Sequence, residues 1–198
     1  MFLCRMKIGL FFGSFNPVHN GHLAIAEFLE QKKLFDQIWF VVSPNNPLKE
    51  KNGLLPENER FNMVKLAIQN LPHLYACDVE FSLSKPSYTI KTLHKLENQY
   101  PNYEFSLILG SDNMENFHQW KNYEEILERF LIYVYPRSNE VFEKKNHPHI
   151  VYLDAPLFPF SATEIRNLLK QGKSVTNYLP DAVNRLLNSC NITAIATF

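Results

Sequence analysis

Residues 7 to 31 read KIGLFFGSFNPVHNGHLAIAEFLEQ. The first six form a short apolar run closed by Gly13, the pattern of a strand buried on both faces. The last ten, from His22 on, have the composition and spacing of a helix, and Asn20 and Gly21 suit its start. The loop between them is stiffened by Pro17 and opened at Gly13, where no side chain keeps a ligand from the main chain. Two histidines, His19 and His22, stand three residues apart at the helix entrance. Strand, open loop and helix in that order make the first unit of a parallel sheet covered by helices.

Five more runs of the same kind follow: IWFVVS at 38–43, LYACDV at 74–79, FSLILG at 105–110, FLIYVY at 130–135 and HIVYLD at 149–154. Between the second and third strands of this series, Phe61, Val64, Ile68 and Leu71 fall three or four residues apart, giving one apolar helix face. Ile90, Leu93 and Leu96 repeat the pattern before the fourth. The expectation is an α/β fold, a Rossmann-like doubly wound parallel sheet with helices on both faces. One domain spans residues 1–198, with 1–5 as an extension ahead of Met6. In such sheets ligands bind beyond the carboxyl ends of the strands, where the strand order reverses. The stretches SPNNPLK, GSDN and FSAT, each following a strand, are therefore candidates alongside the first loop.

With 45% apolar residues the chain supports one substantial core. Twenty lysines and arginines balance twenty aspartates and glutamates, leaving no basic field to hold nucleic acid or an anionic membrane. No apolar stretch reaches the ~20 residues of a membrane span, and Arg5 and Lys7 interrupt any signal core, so a soluble cytoplasmic protein is expected. Cys4, Cys77 and Cys190 are scattered and lack C-x-x-C spacing, which implies neither a disulfide framework nor a zinc ribbon. A homo-oligomer is compatible with this reading.

At the entrance of the first helix, free N–H groups and the helix dipole favour an anion, and His19 and His22 add two donors. A di-histidine metal site would want a third ligand, and the next turn offers only Glu27; an incidental pair is the other alternative. Phosphate is the favoured ligand, in a loop that is neither a Walker loop nor G-x-G-x-x-G. A second candidate is FSATEIRNLL at 160–169, where Ser161 and Glu164 make a capping box, in itself a structural device. Arg166 in the first turn sits against the positive helix end, a mismatch that a bound phosphate would repair.

The pattern G-[ST]-F-x-P-x-H-x-G-H, carried by Gly13, Ser14, Phe15, Pro17, His19, Gly21 and His22, resembles the signature of the nucleotidyltransferase superfamily of adenylyl- and cytidylyltransferases. Ser161, Thr163, Ile165 and Arg166 match its I-S-S-T-x-I-R pattern, with Ala162 in place of the second serine. SPNNPLK, ERFNMVKLAI, SYTIKTL, LILGSDNMENFHQW and YLPDAV follow, in order, the pattern of nicotinate-nucleotide adenylyltransferases. That resemblance implies transfer of AMP from ATP to nicotinate mononucleotide, giving deamido-NAD and pyrophosphate without a covalent intermediate. Magnesium would arrive bound to ATP, with no metal site of the protein's own.

By the same resemblance His19, His22 and Arg166 are catalytic, and Gly13, Ser14, Phe15, Ser161 and Thr163 bind nucleotide. Lys49 meets phosphate, with Leu48 where the family often has histidine. Thr89 meets the nicotinate carboxylate, Trp120 stacks on the pyridine ring, and Gly110 and Asp112 wall the nucleotide site. Blander roles stand beside these: a solvated Lys49, a helix-capping Thr89 or Asp112, a core Trp120. Nicotinamide mononucleotide or phosphopantetheine as acceptor, and a non-catalytic nucleotide sensor, are the alternatives. His73, His94, His118, His147 and His149 read as surface or structural, and Arg60 and Arg137 as ion-pair residues at least as readily as functional ones.

Overall fold

The computed structural model of the chain describes residues 5–45, 53–137, 144–158 and 160–189. Lys49, Leu48, Cys4 and Cys190 lie outside the described residues. The six apolar runs form β1 (Met6–Gly13), β2 (Gln37–Val42), β3 (Leu74–Cys77), β4 (Tyr103–Gly110), β5 (Leu131–Tyr135) and β6 (Ile150–Tyr152). They pair in the order β3-β2-β1-β4-β5-β6, every neighbour parallel. The order reverses between β1 and β4, so the crevice for a ligand opens where Gly13 and Gly110 end those two strands. The outermost strands are shorter than their apolar runs. Only Leu74–Cys77 pairs with β2, and at Val79 the chain turns into a 3₁₀ helix, Val79–Ser82.

Among the described residues, seven helices cover the two faces: α1 (Asn20–Gln31), α2 (Glu57–Ile68), α3 (Thr89–Gln99), α4 (Ser111–Glu115), α5 (Tyr123–Arg129), α6 (Ala162–Lys170) and α7 (Asp181–Ser189). Alternation along the central strands divides the core. Phe11, Ile38, Phe40 and Val42 pack against Ile25 and Leu29 of α1, Met63 and Val64 of α2, Ile165 of α6 and Val183 of α7. Ile8, Leu10, Trp39 and Val41 pack on the other face against Ile90, Leu93 and Leu96 of α3 and Ile126 of α5. Each fully buried Leu, Ile or Phe contributes about 1.5–3 kcal/mol. Leu71 lies beyond the end of α2, in the turn to β3 rather than on the helix face. No described helix is long and apolar enough to cross a membrane.

One side chain ties the carboxyl ends of β1 and β2 together. Arg60 of α2 is fully buried; its Nε donates to the Leu55 carbonyl at 2.8 Å and its Nη1 to those of Ser14 at 2.5 Å and Ser43 at 2.9 Å. Nη2 donates to the Pro44 carbonyl at 3.3 Å. The carbonyls of Ser14, Ser43 and Pro44 lie where the chain leaves the sheet and that of Leu55 just before α2, and a guanidinium with five fixed donors satisfies several at once. Arg60 is thus a backbone clamp, not chiefly the ion-pair residue its charged neighbours suggest.

Candidate active site

Gly13 ends β1, and the chain then doubles back so that the Phe15 ring covers it; a Cβ on Gly13 would lie 2.8 Å from that ring. To do this Phe15 adopts φ 47°, a left-handed conformation costing a non-glycine residue about 1–2 kcal/mol. Its ring is buried among Phe11, Phe40 and His22, which offsets the cost. Asn16, also buried, donates from Nδ2 to the Gly53 carbonyl at 2.6 Å and accepts from the Leu55 N–H at 3.4 Å. The loop is held from both sides before it reaches the histidines.

His19 is itself the residue that caps α1, with extended backbone, one position before the start that Asn20 and Gly21 suggest. Its ring stacks on His22 with centroids 3.7 Å apart, lies edge-on to Phe160, and packs on Gly21, where a Cβ would approach Nδ1 to 3.1 Å. The His19 N–H donates to His22 Nδ1 at 3.2 Å, so a neutral His22 carries its proton on Nε2. His19 Nδ1 has no hydrogen-bond partner among the described residues. Burial, helped by the positive charge of Arg137, lowers the His19 pKa to about 3. His19 is therefore a neutral donor or acceptor, not a cation, in the free protein.

This has a thermodynamic signature. Between pH 6.5 and about 3 the unfolded chain binds a proton at His19 that the folded chain excludes, so stability falls as pH falls across that window. The His19→Gln variant removes this contribution. The difference in unfolding free energy between wild type and variant should shrink by about 1 kcal/mol per pH unit between pH 6 and 4 in denaturant titrations. A pH-independent difference would mean that His19 is not held neutral.

The capping box at the start of α6 is present: the Ser161 N–H donates to Glu164 Oε2 at 2.6 Å, and the Glu164 N–H to Ser161 Oγ at 3.2 Å. Arg166 reaches across to the first loop, donating from Nη1 to the Asn16 carbonyl at 2.8 Å and from Nη2 to Thr163 Oγ1 at 3.1 Å. Loop and helix together line a cleft of about 530 Å³ that holds His19, His22, Ser161, Thr163 and Arg166 above Gly13, Ser14 and Phe15. Ala162 lines it as well, presenting a methyl group where a second hydroxyl would stand.

Arg137, two residues beyond β5, also enters this cleft, its Nε 3.8 Å from Asp112 Oδ2. Gly110 makes room for that pair: a Cβ there would collide with Asp112 Oδ1 and come within 2.8 Å of Arg137 Cγ. Asp112 lies inside the first turn of α4, which starts at Ser111 after Gly110 as the cap, so it is not the helix-capping residue. Its partly exposed carboxylate faces Arg137 at the rim. Arg137 was the residue to look for by position, since it follows the carboxyl end of a strand.

A second cavity of about 320 Å³ adjoins the cleft, sharing Phe12, Gly13, Ser14 and Asn113 with it. Trp120 lines it, half-buried and backed by Phe117 at 5.3 Å between ring centroids, so one side of the indole belongs to the core and the rest to the cavity. Thr89 begins α3, after Tyr88 as the cap, which brings the unpaired N–H groups of a helix start to the same wall. Lys121, which composition does not distinguish from any surface lysine, holds its ammonium 4.7 Å from the centroid of the Tyr88 ring. Glu80, from the 3₁₀ helix, completes the wall.

The other histidines stand outside both cavities. His94 pairs with Glu125 at 2.7 Å, His149 Nδ1 meets the Leu127 carbonyl at 2.8 Å and His147 Nδ1 accepts the His149 N–H, while His73 lies 3.9 Å from Glu30 and His118 meets the Glu115 carbonyl.

The cytidylyltransferase-like family model matches residues 10–168. A Flavobacterium johnsoniae protein named "Probable nicotinate-nucleotide adenylyltransferase" is 50% identical over 181 residues, covering 90% of this chain and 94% of that protein. A Cytophaga hutchinsonii protein of the same name is 48% identical, covering 93% and 96%. Among solved structures, the Plasmodium falciparum nicotinic acid mononucleotide adenylyltransferase complexed with NaAD superposes with a TM-score of 0.79 at 20% identity, over 94% of this chain and 97% of that one. At that identity the likeness concerns the fold alone.

Proposed function

This chain belongs to the cytidylyltransferase-like family, and from that premise we propose that it is a nicotinate-nucleotide adenylyltransferase, moving AMP from ATP to nicotinate mononucleotide in NAD biosynthesis. The observation that carries the reading is the junction of two cavities at the β1/β4 switch point. One is rich in phosphate donors; the other has an aromatic face and a helix start. The triphosphate occupies the first, against His22 Nε2–H, the Arg166 and Arg137 guanidinia and the hydroxyls of Ser161 and Thr163. The pyridine ring lies on Trp120 with its carboxylate toward the N–H groups at Thr89. Phe12, Gly13, Ser14 and Asn113, common to both cavities, then flank the point where the acceptor phosphate meets the α-phosphorus.

Catalysis follows from positioning and from neutralising charge on the departing pyrophosphate. The acceptor needs no general base, because a phosphomonoester is largely doubly ionised near neutral pH, its second pKa being about 6. His19 contributes a neutral ring that backs and orients His22. Magnesium, arriving on ATP, supplies further charge neutralisation. The cleft's donor set of histidines and arginines suits phosphate oxygens, and its carboxylate, Asp112, already faces Arg137. ATP and the mononucleotide are charged solutes of the cell interior, and we assign the enzyme to the cytoplasm.

The test is pyrophosphate release from magnesium, ATP and either nicotinate or nicotinamide mononucleotide. The acid should be used with a kcat/KM on the order of a hundredfold higher or more, because the amide leaves the donors at Thr89 without their anion. Equal use of both would overturn the carboxylate assignment while keeping adenylyl transfer. Silence with both would overturn the proposal.

A further inference from the structure

Glu80 is 1% exposed, yet it lies in the wall of the Trp120 cavity. Its Oε1 accepts from Thr92 Oγ1 at 2.8 Å; burial raises its pKa above the ordinary carboxylate range, opposed in smaller part by the hydroxyls of Thr92, Ser87 and Ser43. Oε2 has no hydrogen-bond partner among the described residues. A buried carboxyl oxygen outside any hydrogen bond is an exception that calls for an explanation, and the adjoining cavity offers one.

The cavity beside it carries one other strongly charged side chain among its described lining residues, Lys121, at the opposite sign. In a pyridine mononucleotide the glycosidic bond quaternises the ring nitrogen, so the ring is a cation, and nicotinate adds a carboxylate at the ring edge. A wall with one carboxyl, one ammonium and an indole face is the complement of such a zwitterion. We propose that Glu80 is the counter-charge for the cationic ring of the acceptor, and hence a specificity-determining residue of this cavity. The assignment rests on the function proposed above. It works through the field and not by contact, since Oε2 is buried while Glu80 belongs to the cavity wall, and the low local dielectric strengthens the attraction.

The test separates ring charge from everything else by comparing nicotinate mononucleotide with its 1,4-dihydro form, whose ring is neutral. Dissociation constants for both are measured by calorimetry on wild type and on Glu80→Gln, which keeps an acceptor for Thr92. Wild type should bind the cationic form roughly tenfold more tightly than the neutral one. In the variant that ratio should fall to within about twofold. A variant ratio equal to wild type overturns the assignment, as does equal weakening of both ligands with a lowered Tm, which would mark a structural role. Wild type alone also decides: no preference for the cationic ring overturns it even if the variant fails to fold. Wild type that turns over nicotinate mononucleotide but shows no such preference sinks the Glu80 assignment only. Wild type that neither binds nor turns it over sinks the proposed function as well.

Discussion

The His22→Ala variant should lose about a thousandfold in kcat, with KM for ATP changed far less. The expectation follows from a chain of contacts. Stacking on His19 and the bond from the His19 N–H to Nδ1 fix both the ring plane and the tautomer of His22. The Nε2–H donor is therefore oriented before substrate binds, and a donor that needs no reorganisation acts most strongly where charge develops in the transition state. Gln at position 22, able to present an N–H near the Nε2 position, should recover part of the loss. Steady-state pyrophosphate release reads both numbers. A variant that raises KM at constant kcat would make His22 a ground-state binding group instead.

The second large effect is on stability. Arg60→Leu leaves the carbonyls of Ser14, Ser43, Pro44 and Leu55 without this donor, all but Ser14 on buried residues. Removing one partner from such a buried polar set costs about 3–5 kcal/mol. For a chain of this length that lowers Tm by roughly 10 °C. Lysine at position 60 should restore little, because one ammonium cannot reproduce the fork that serves several carbonyls. Because Ser14 lines both cavities, activity in the surviving folded fraction should fall too. A Tm within about 2 °C of wild type would show that other donors or water take over the carbonyls.

The six strands, helices α1, α2 and α3 and the start of α6 were legible because period and order carry them, whereas the strand order that puts the crevice between β1 and β4 was not. Phe40, Leu10 and Ile108 sit in runs that only a doubly covered sheet can bury. The two segments that line the larger cleft could be picked out because the residues of each are contiguous, though not that they would meet. What could not be read was anything that depends on distant segments meeting. Arg60 sits in ENERF, which looks like a solvated helix edge until the ends of two strands are brought over it. Glu80 resembles any acid in a turn, and its burial is decided by Thr92, Ser87 and Ser43. Arg137 becomes a cleft residue because Gly110, at the end of the neighbouring strand, leaves it room beside Asp112 of α4.

The bond from Arg166 to the Asn16 carbonyl joins residues 150 apart, and Asn20 is tied likewise to the carbonyls of Tyr178 and Asn177. During translation, at about 5–20 residues per second, roughly 10–30 s separate the appearance of the first loop from that of its partner helix. On the assignment proposed above, a nascent chain throughout that interval would offer ATP half a cradle. The nucleotide would therefore stabilise only polypeptide in which α6 has already emerged, so that its binding would report on translation past this helix as well as on the fold.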